Sequence, residues 1–390
     1  MSKRTILVTC PKACSEILAE ELDSLGYKPS SLVSNGVFIE GDYEDCIHLN
    51  LTLRTGLRVL WEVDNFTARD GEDLYHQAVR MPWEDWIPAE DAYISIVSSV
   101  RNDTVVNTNF PNLRLKDAIV DRMREVTGDR PNSGNERDRG VIFLYWHEEE
   151  VCIYLDTSGI PISNRNYRAM PGAAPMRENL AASVISATRW DKASPFLNPM
   201  CGSGTLAIEA ALMASGVPGQ QLRHEFAFQH FKPFNPKRYD EIRKEVRKRV
   251  PDSLPFPIIA SDIDRQAIRA AETNAKKAGV AHLIEFRVCD FRDAPIPEEP
   301  GVIVLNPEYG ERLGEQRQLE DTYKAIGDLF KKRCPGYWGY IFTGNKTLGK
   351  RVGLKTKRKI EFYNGPIECR LLEYELYGGT RNPKYTDQES

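Results

Sequence analysis

Residues 305–313 read LNPEYGERL, and four of them have types and spacing that could do chemistry together: Asn306, Pro307, Glu308 and Tyr309. The Asn306 side-chain oxygen and the Pro307 backbone carbonyl are neighbouring acceptors, and Tyr309 offers an aromatic face for a base. An exocyclic amine on an aromatic ring is a poor nucleophile, because its lone pair is delocalised into the ring. Acceptors for both of its N–H groups turn that lone pair toward an electrophile such as a methyl sulfonium. A site of this kind works by positioning and electrostatics and calls for no strong general base. Glu308 suits guanine, whose N1–H and N2 amine are adjacent donors, better than adenine, whose N1 accepts. The other reading of Glu308 is a side chain facing solvent. A base read on its Watson–Crick edge in this way would be flipped into a pocket.

Such a site needs a donor, and NPMCGSGTLAIEAALMA at 198–214 has the order strand end, glycine loop, helix. Gly202 and Gly204 let the backbone approach a ligand, and the helix start supplies free N–H groups and positive potential. With Ala207 the loop also fits the dinucleotide pattern. That pattern wants its ribose acid about 20 residues on, whereas the next strand ending in an acid places Asp262 58 residues beyond Gly204. S-adenosylmethionine fits better, since it needs no phosphate cradle. The loop residues Asn198, Pro199, Met200, Cys201, Gly202, Ser203, Gly204 and Thr205 would face its methionine end. Asp262 or Asp264 in ASDID would take the ribose hydroxyls, and Asp290 the adenine amine, with Phe291 beside the ring. The alternative is that these acids merely form turns at strand ends.

These groups require elements that bring them to one edge. From about residue 180 short apolar strands alternate with helical stretches: PFLNP, PIIASD, IEFRVCD, GVIVLNP, WGYIFTG and LLEYELY. This rhythm predicts an α/β, mostly parallel, doubly wound sheet with ligands beyond the carboxyl ends of its strands. The segment between Ala214 and PIIASD reads as an insertion. Upstream, residues 1–45 suggest a small α/β unit: strand TILVTC, a helix stopped by Gly26, and a hairpin turning at Asn35-Gly36. Residues 46–155 suggest a second unit with a helix running into a strand at IHLNLTLRTGLRVLWEV, strands AYISIVSSV and VCIYLDTSG, and an amphipathic helix in LRLKDAIVDRMREVTGDRP. Nothing there has catalytic character, so it reads as a binding module. Residues 160–180 form a Pro/Gly-punctuated connector carrying Arg165, Arg168 and Arg177. The tail, 381–390, reads as disordered.

Of the 390 residues, 41% are hydrophobic and 28% charged, and the net charge is -4. This is the balance of a soluble globular chain of two or three domains. No apolar run approaches the roughly 20 residues of a membrane span, the N-terminus lacks a signal-peptide pattern, and eight scattered cysteines suit a reducing cytoplasm. Neither a metal site nor a membrane partner is expected. Charge is unevenly placed. Residues 341–360 hold seven Lys/Arg and no acid, and unopposed charges at that density favour an anionic partner such as phosphate. The mixed run KRYDEIRKEVRKR at 237–249 reads as a solvated face.

Together LDTSGIPISNRNYRAMPGAAPMRENLAASVI, LNPMCGSGTLAIEAA, ASDID, CDF, LNPEYGERLG and NGPIECRLLEYEL resemble the THUMP-domain class I RNA methyltransferases, nearest to bacterial enzymes that form N2-methylguanosine in large-subunit rRNA. LTLRTGLRVLWEV, LYHQAVRMPWEDW and LRLKDAIVDRMRE carry the likeness through the upstream half. The resemblance implies a ferredoxin-like subdomain at 1–45, a THUMP RNA-binding domain at 46–155 and a Rossmann-like, S-adenosylmethionine-dependent methyltransferase at 160–380. It implies a donor site from Asn198 to Gly204 with Asp262 and Asp290, a catalytic tetrad at Asn306–Tyr309, and 23S rRNA or a large-subunit precursor as partner; the sequence does not give the oligomeric state, and a monomer is favoured. The alternatives are the same chemistry on tRNA, or a non-catalytic RNA-binding assembly factor; a dehydrogenase is a distant third. Three positions depart from the family pattern. Asn198 replaces the usual Asp and removes a charge near the donor's ammonium group, Asn166 replaces a Gly, and Glu308 replaces a Pro. The second methyltransferase fused behind this module in some relatives is not seen, so one methyl mark is expected.

Overall fold

The computed structural model describes residues 2–105, 107, 109–170, 176–308 and 316–378. The chain divides into two units, residues 1–165 with 218–248, and residues 166–217 with 249–390.

The first unit contains strands β1 (Arg4–Thr9), β2 (Ser31–Val33), β3 (Gly36–Gly41), β4 (Arg58–Thr67), β5 (Tyr93–Arg101), β6 (Asn132–Ser133), β7 (Gly140–His147) and β8 (Glu150–Asp156). Its helices are α1 (Ser15–Ser24), α2 (Tyr43–Thr52), α3 (Gly71–Ala78) and α4 (Asn109–Thr127), with α7 (Pro236–Val246) from the later segment. The eight strands form one sheet in the order β2-β3-β1-β4-β8-β7-β5-β6. It is antiparallel except where β5 runs parallel to β6 and β7. Helix α2 starts where Asp42 accepts from the amides of Glu44 and Asp45 while Asp45 accepts from Asp42, a reciprocal cap.

The sequence expectation fails in two places here. The hairpin loop is Ser34–Asn35, neither at positive φ, with Gly36 already paired to Val33. Glycine stands there because a Cβ would meet Leu7 Cδ1 and the Val8 carbonyl at 2.9 Å, so close packing rather than a left-handed turn selects it. The apolar run GVIFLYWH forms β7, which is absent from the strands read from the sequence. Buried positions such as Val141, Ile142 and Leu144 make it central to the sheet.

The second unit contains β9 (Phe196–Pro199), β10 (Ile258–Asp262), β11 (Ile284–Val288), β12 (Val302–Leu305), β13 (Trp338–Thr343), β14 (Arg358–Asn364) and β15 (Ile367–Glu375). Around them lie α5 (Glu178–Ser186), α6 (Thr205–Ala214), α8 (Arg265–Ala278), α9 (Gln316–Arg333) and the single turn α10 (Lys346–Gly349). The sheet order is β11-β10-β9-β12-β13-β15-β14. Strands β9 to β13 are parallel, and β15 lies antiparallel between β13 and β14. This is the doubly wound α/β sheet the strand rhythm predicts, with β14 an addition not read from sequence. Tyr323, Ile326 and Phe330 of α9 bury against Ile303, Leu305 and Ile341 of the sheet. Chain order reverses between β9 and β12, which opens a crevice at their carboxyl ends.

Candidate donor and acceptor site

The glycine loop leaves β9 at Asn198, which is fully buried and donates its amide Nδ2 to the Val304 carbonyl at 2.9 Å. Asp, which has no donor when ionised, could not make this tie between β9 and β12. Met200, Gly202 and Gly204 adopt φ of 58°, 55° and 83°, so three of five consecutive residues are left-handed. Gly204 is the N-cap of α6, and a Cβ there would lie 2.8 Å from the Ala271 Cβ. A Cβ on Gly202 meets nothing within 4 Å among the described residues, so the loop faces open space on that side. Cys201 donates its amide to the Ser261 carbonyl at 3.0 Å, and burial pushes its thiol pKa well up, which makes it a packing group rather than a nucleophile.

Asp262, at the end of β10, accepts from the Gly202 amide at 2.9 Å and from the Asp264 amide at 3.0 Å. A carboxylate has about four lone-pair sites, so two remain unused among the described residues. Asp264 caps α8, accepting from the Gln266 amide at 2.8 Å, so its residue type follows from the cap alone. Between them Ile263 is 71% exposed. Asp290 is engaged by Arg292 through Nε at 2.9 Å, Nη2 at 2.7 Å and the backbone amide at 2.8 Å. The Arg292 hydrogen bonds hold its carboxyl below the usual carboxylate range. Phe291 is half-buried against the core beneath α9.

Asn306 and Pro307 follow β12 directly. Asn306 Oδ1 is buried without a hydrogen-bond partner among the described residues, as are Asn198 Oδ1 and Ser261 Oγ. Orphaned oxygens thus stand at the carboxyl ends of three adjacent strands, where buried polar groups are normally satisfied. Pro307 is buried and Glu308 exposed; Tyr309 lies outside the described residues.

Three side chains here have no role in the sequence reading. Arg168 reaches the Glu178 carboxylate at 3.1 Å, the Met176 carbonyl at 2.9 Å, and the Ser203 and Thr205 hydroxyls at 3.4 Å each. Asn274 accepts from the Ala169 and Met170 amides and donates to the Met170 and Ser203 carbonyls, all within 3.1 Å. It thereby pins the connector to the glycine loop. Its signal was a polar residue on the apolar stripe Ile268, Ala271, Ala275, Ala278. Ile263 is the third, an exposed aliphatic between two acids.

The expectation of unopposed charge at 341–360 is corrected. Lys346 pairs with Glu368, Arg351 with Glu320, Lys357 with Glu375 and Arg358 with Glu373. The acids lie on α9 and β15, distant in sequence, so a local charge count misses them. Burial raises the Glu373 pKa, but Arg358 and Arg189 bring it to a net lowering. Lys350, Lys355 and Lys359 remain exposed without an ion pair among the described residues.

Three family models match the chain: an RlmL ferredoxin-like domain at 5–60, a THUMP domain at 68–156 and an RMKL-like methyltransferase domain at 165–373. A Synechocystis sp. protein described as an RNA methyltransferase is 32% identical over 96% of this chain and 97% of its own. A ribosomal RNA large subunit methyltransferase K/L of Syntrophotalea carbinolica is 34% identical over 94% of this chain and 53% of its own. The chain thus spans about half the length of most of the curated relatives it matches. Among solved structures, one described as a possible methylase from Clostridium difficile 630 superposes with a TM-score of 0.86 at 27% identity, over 98% of this chain and 100% of that one. The cofactor of such a domain is S-adenosylmethionine, and the residues fit it. The open side of Gly202, the two spare acceptor sites of Asp262 and the exposed Ile263 match a backbone approach, a ribose diol and an apolar ring face. The chain belongs to the RMKL-like methyltransferase family, with ferredoxin-like and THUMP domains ahead of its methyltransferase domain.

Proposed function

We propose that the chain transfers a methyl group from S-adenosylmethionine to the exocyclic N2 of a guanine in large-subunit ribosomal RNA, in the cytoplasm. The observation that carries this reading is Asn306 Oδ1, buried at the crevice edge with no hydrogen-bond partner among the described residues. An acceptor with no donor of its own suits an incoming N–H. The THUMP match and the names of the K/L relatives support RNA, and ribosomal RNA in particular. The free cysteines suit a reducing compartment.

In this reading Asn306 Oδ1 and the Pro307 carbonyl accept the two N–H groups of the amine and turn its lone pair out of the ring. Glu308, exposed beside them, accepts from guanine N1–H, and Tyr309 stacks on the base. Asn198 through Thr205 hold the methionine end, with Arg168 and the α6 N-terminus supplying positive potential. Asp262 holds the ribose, Ile263 and Phe291 flank the adenine, and Asp290 takes its amine once Arg292 yields an oxygen. Bound S-adenosylmethionine supplies the sulfonium methyl carbon, which the amine attacks as the sulfur leaves as a neutral thioether. The methylated nitrogen, now strongly acidic, loses its proton to water, so no side-chain base is needed.

The test is methyl incorporation from labelled S-adenosylmethionine into rRNA and tRNA from cells lacking this protein, followed by nucleoside mass spectrometry. N2-methylguanosine in rRNA is expected. The mark in tRNA alone would replace the substrate, and donor binding without incorporation into rRNA, tRNA or ribosomal particles would replace the enzyme with an assembly factor.

A further inference from the structure

The first unit is acidic where an RNA-gripping surface would need cations. Residues 1–165 carry 17 Lys/Arg against 28 Asp/Glu, while the segment 218–248, which groups with them, carries eight against four. Much of that positive charge lies on α7. Asn235 caps the helix and Pro236 starts it, while Tyr239 and Ile242 are buried. Arg238 binds Glu44 of α2 at 2.8 Å and Glu241 at 2.9 Å. These contacts account for one side of the helix and for one of its cations.

The other side is different. Lys237, Lys244, Arg247 and Lys248 are exposed and form no ion pair among the described residues. Lys237 and Lys244 are seven residues apart and share a face with the exposed Asp240 and Glu241, and Arg247 and Lys248 follow just past the helix end. From Lys237 to Lys244 is about 10 Å along the helix. Lys/Arg outnumber Asp/Glu six to three between 237 and 248, and a polyanion bound to the unpaired cations gains from counterion release.

We infer that this row is the phosphate-backbone contact of the first unit, supplied by the segment that interrupts the methyltransferase sequence and not by residues 1–165. It rests on the reading above that the substrate is RNA. It stands as the alternative to the expectation that 237–249 is only a solvated face.

The experiment replaces Lys237, Lys244, Arg247 and Lys248 by Gln in the full chain and follows binding to an in vitro transcribed guanine-containing RNA hairpin across a salt series. The slope of log affinity against log salt should flatten by about 3, at about 0.7–0.9 for each phosphate no longer neutralised. Affinity at low salt should fall at least about tenfold, and S-adenosylhomocysteine binding should be unchanged. Returning four positive charges as Arg at 237, 244 and 248 with native Arg247 should restore the slope. An unchanged slope in the Gln variant, with wild-type binding salt-dependent, overturns this inference and leaves the RNA methyltransferase reading standing. Wild-type protein with no salt-dependent RNA binding would overturn both.

Discussion

At the scale of single residues, the proposed reading divides chemistry and selection between Asn306 and Glu308. Asn306→Ala removes one acceptor from the amine, and turnover should fall about 100-fold or more, the size typical of a missing preorganised hydrogen bond. S-adenosylhomocysteine binding, measured by calorimetry, should not change; retained turnover would sink the role. Glu308→Gln should lower kcat/KM for a guanine substrate about tenfold, as removal of a charge-assisted hydrogen bond would. Equal kinetics would return the exposed Glu308 to solvent duty. Asn198 shows why a family comparison misleads at this scale. Judged by its missing charge it looks like a weakness in donor binding, yet its amide donates to the Val304 carbonyl and so fastens β9 to β12 where the crevice opens.

At the scale of elements, the donor site depends on how α8 grips the loop before α6. Asn274→Ala breaks four hydrogen bonds and leaves buried backbone groups unpaired, so stability should fall by roughly 2–3 kcal/mol. The donor KM should rise while kcat on saturating donor holds. A melt and a donor titration together check this, and a stability decrease with unchanged KM would make Asn274 purely structural. The strands, the glycine loop and the acids at their ends were legible because each is a local signal: a short apolar run, a Gly pair, an Asp at a strand end. Arg168 and Asn274 were not, because their meaning lies in contacts across 35 and 71 positions, to Ser203 in both cases. The same blindness made 341–360 look unopposed, since Glu320, Glu368, Glu373 and Glu375 are brought there only by folding. Gly36 and β7 failed differently. An Asn-Gly pair fits a turn or a tight crossing equally well, and an apolar run without polar alternation carries no period to read.

At the scale of the whole molecule, acid should act on the first unit through its histidines. Burial lowers the pKa of His48 and His230 below the ordinary 6.5. Above that value both states are neutral and stability does not change. Below it the unfolded chain takes up protons that the folded unit resists, so stability falls as pH drops. Calorimetry between about pH 7.5 and 5.5, a range centred on the ordinary histidine value, should show the unfolding temperature decreasing. His48→Gln should flatten that dependence; a dependence unaltered in His48→Gln would assign it to other groups.

The eight-stranded sheet also bears on how such a protein can be assembled by recombination. The ferredoxin-like and THUMP matches meet inside one sheet, where β4 pairs with β8 from Leu60↔Asp156 to Thr67↔Glu150 with a register shift between Glu62 and Asp64. A gene breakpoint between the two matches would leave each half with a raw central-strand edge, open to pairing with any passing chain. The two modules are therefore a single heritable unit. An exchange of the methyltransferase against this unit would also have to move residues 218–248, which group with the first unit although they lie within the methyltransferase match.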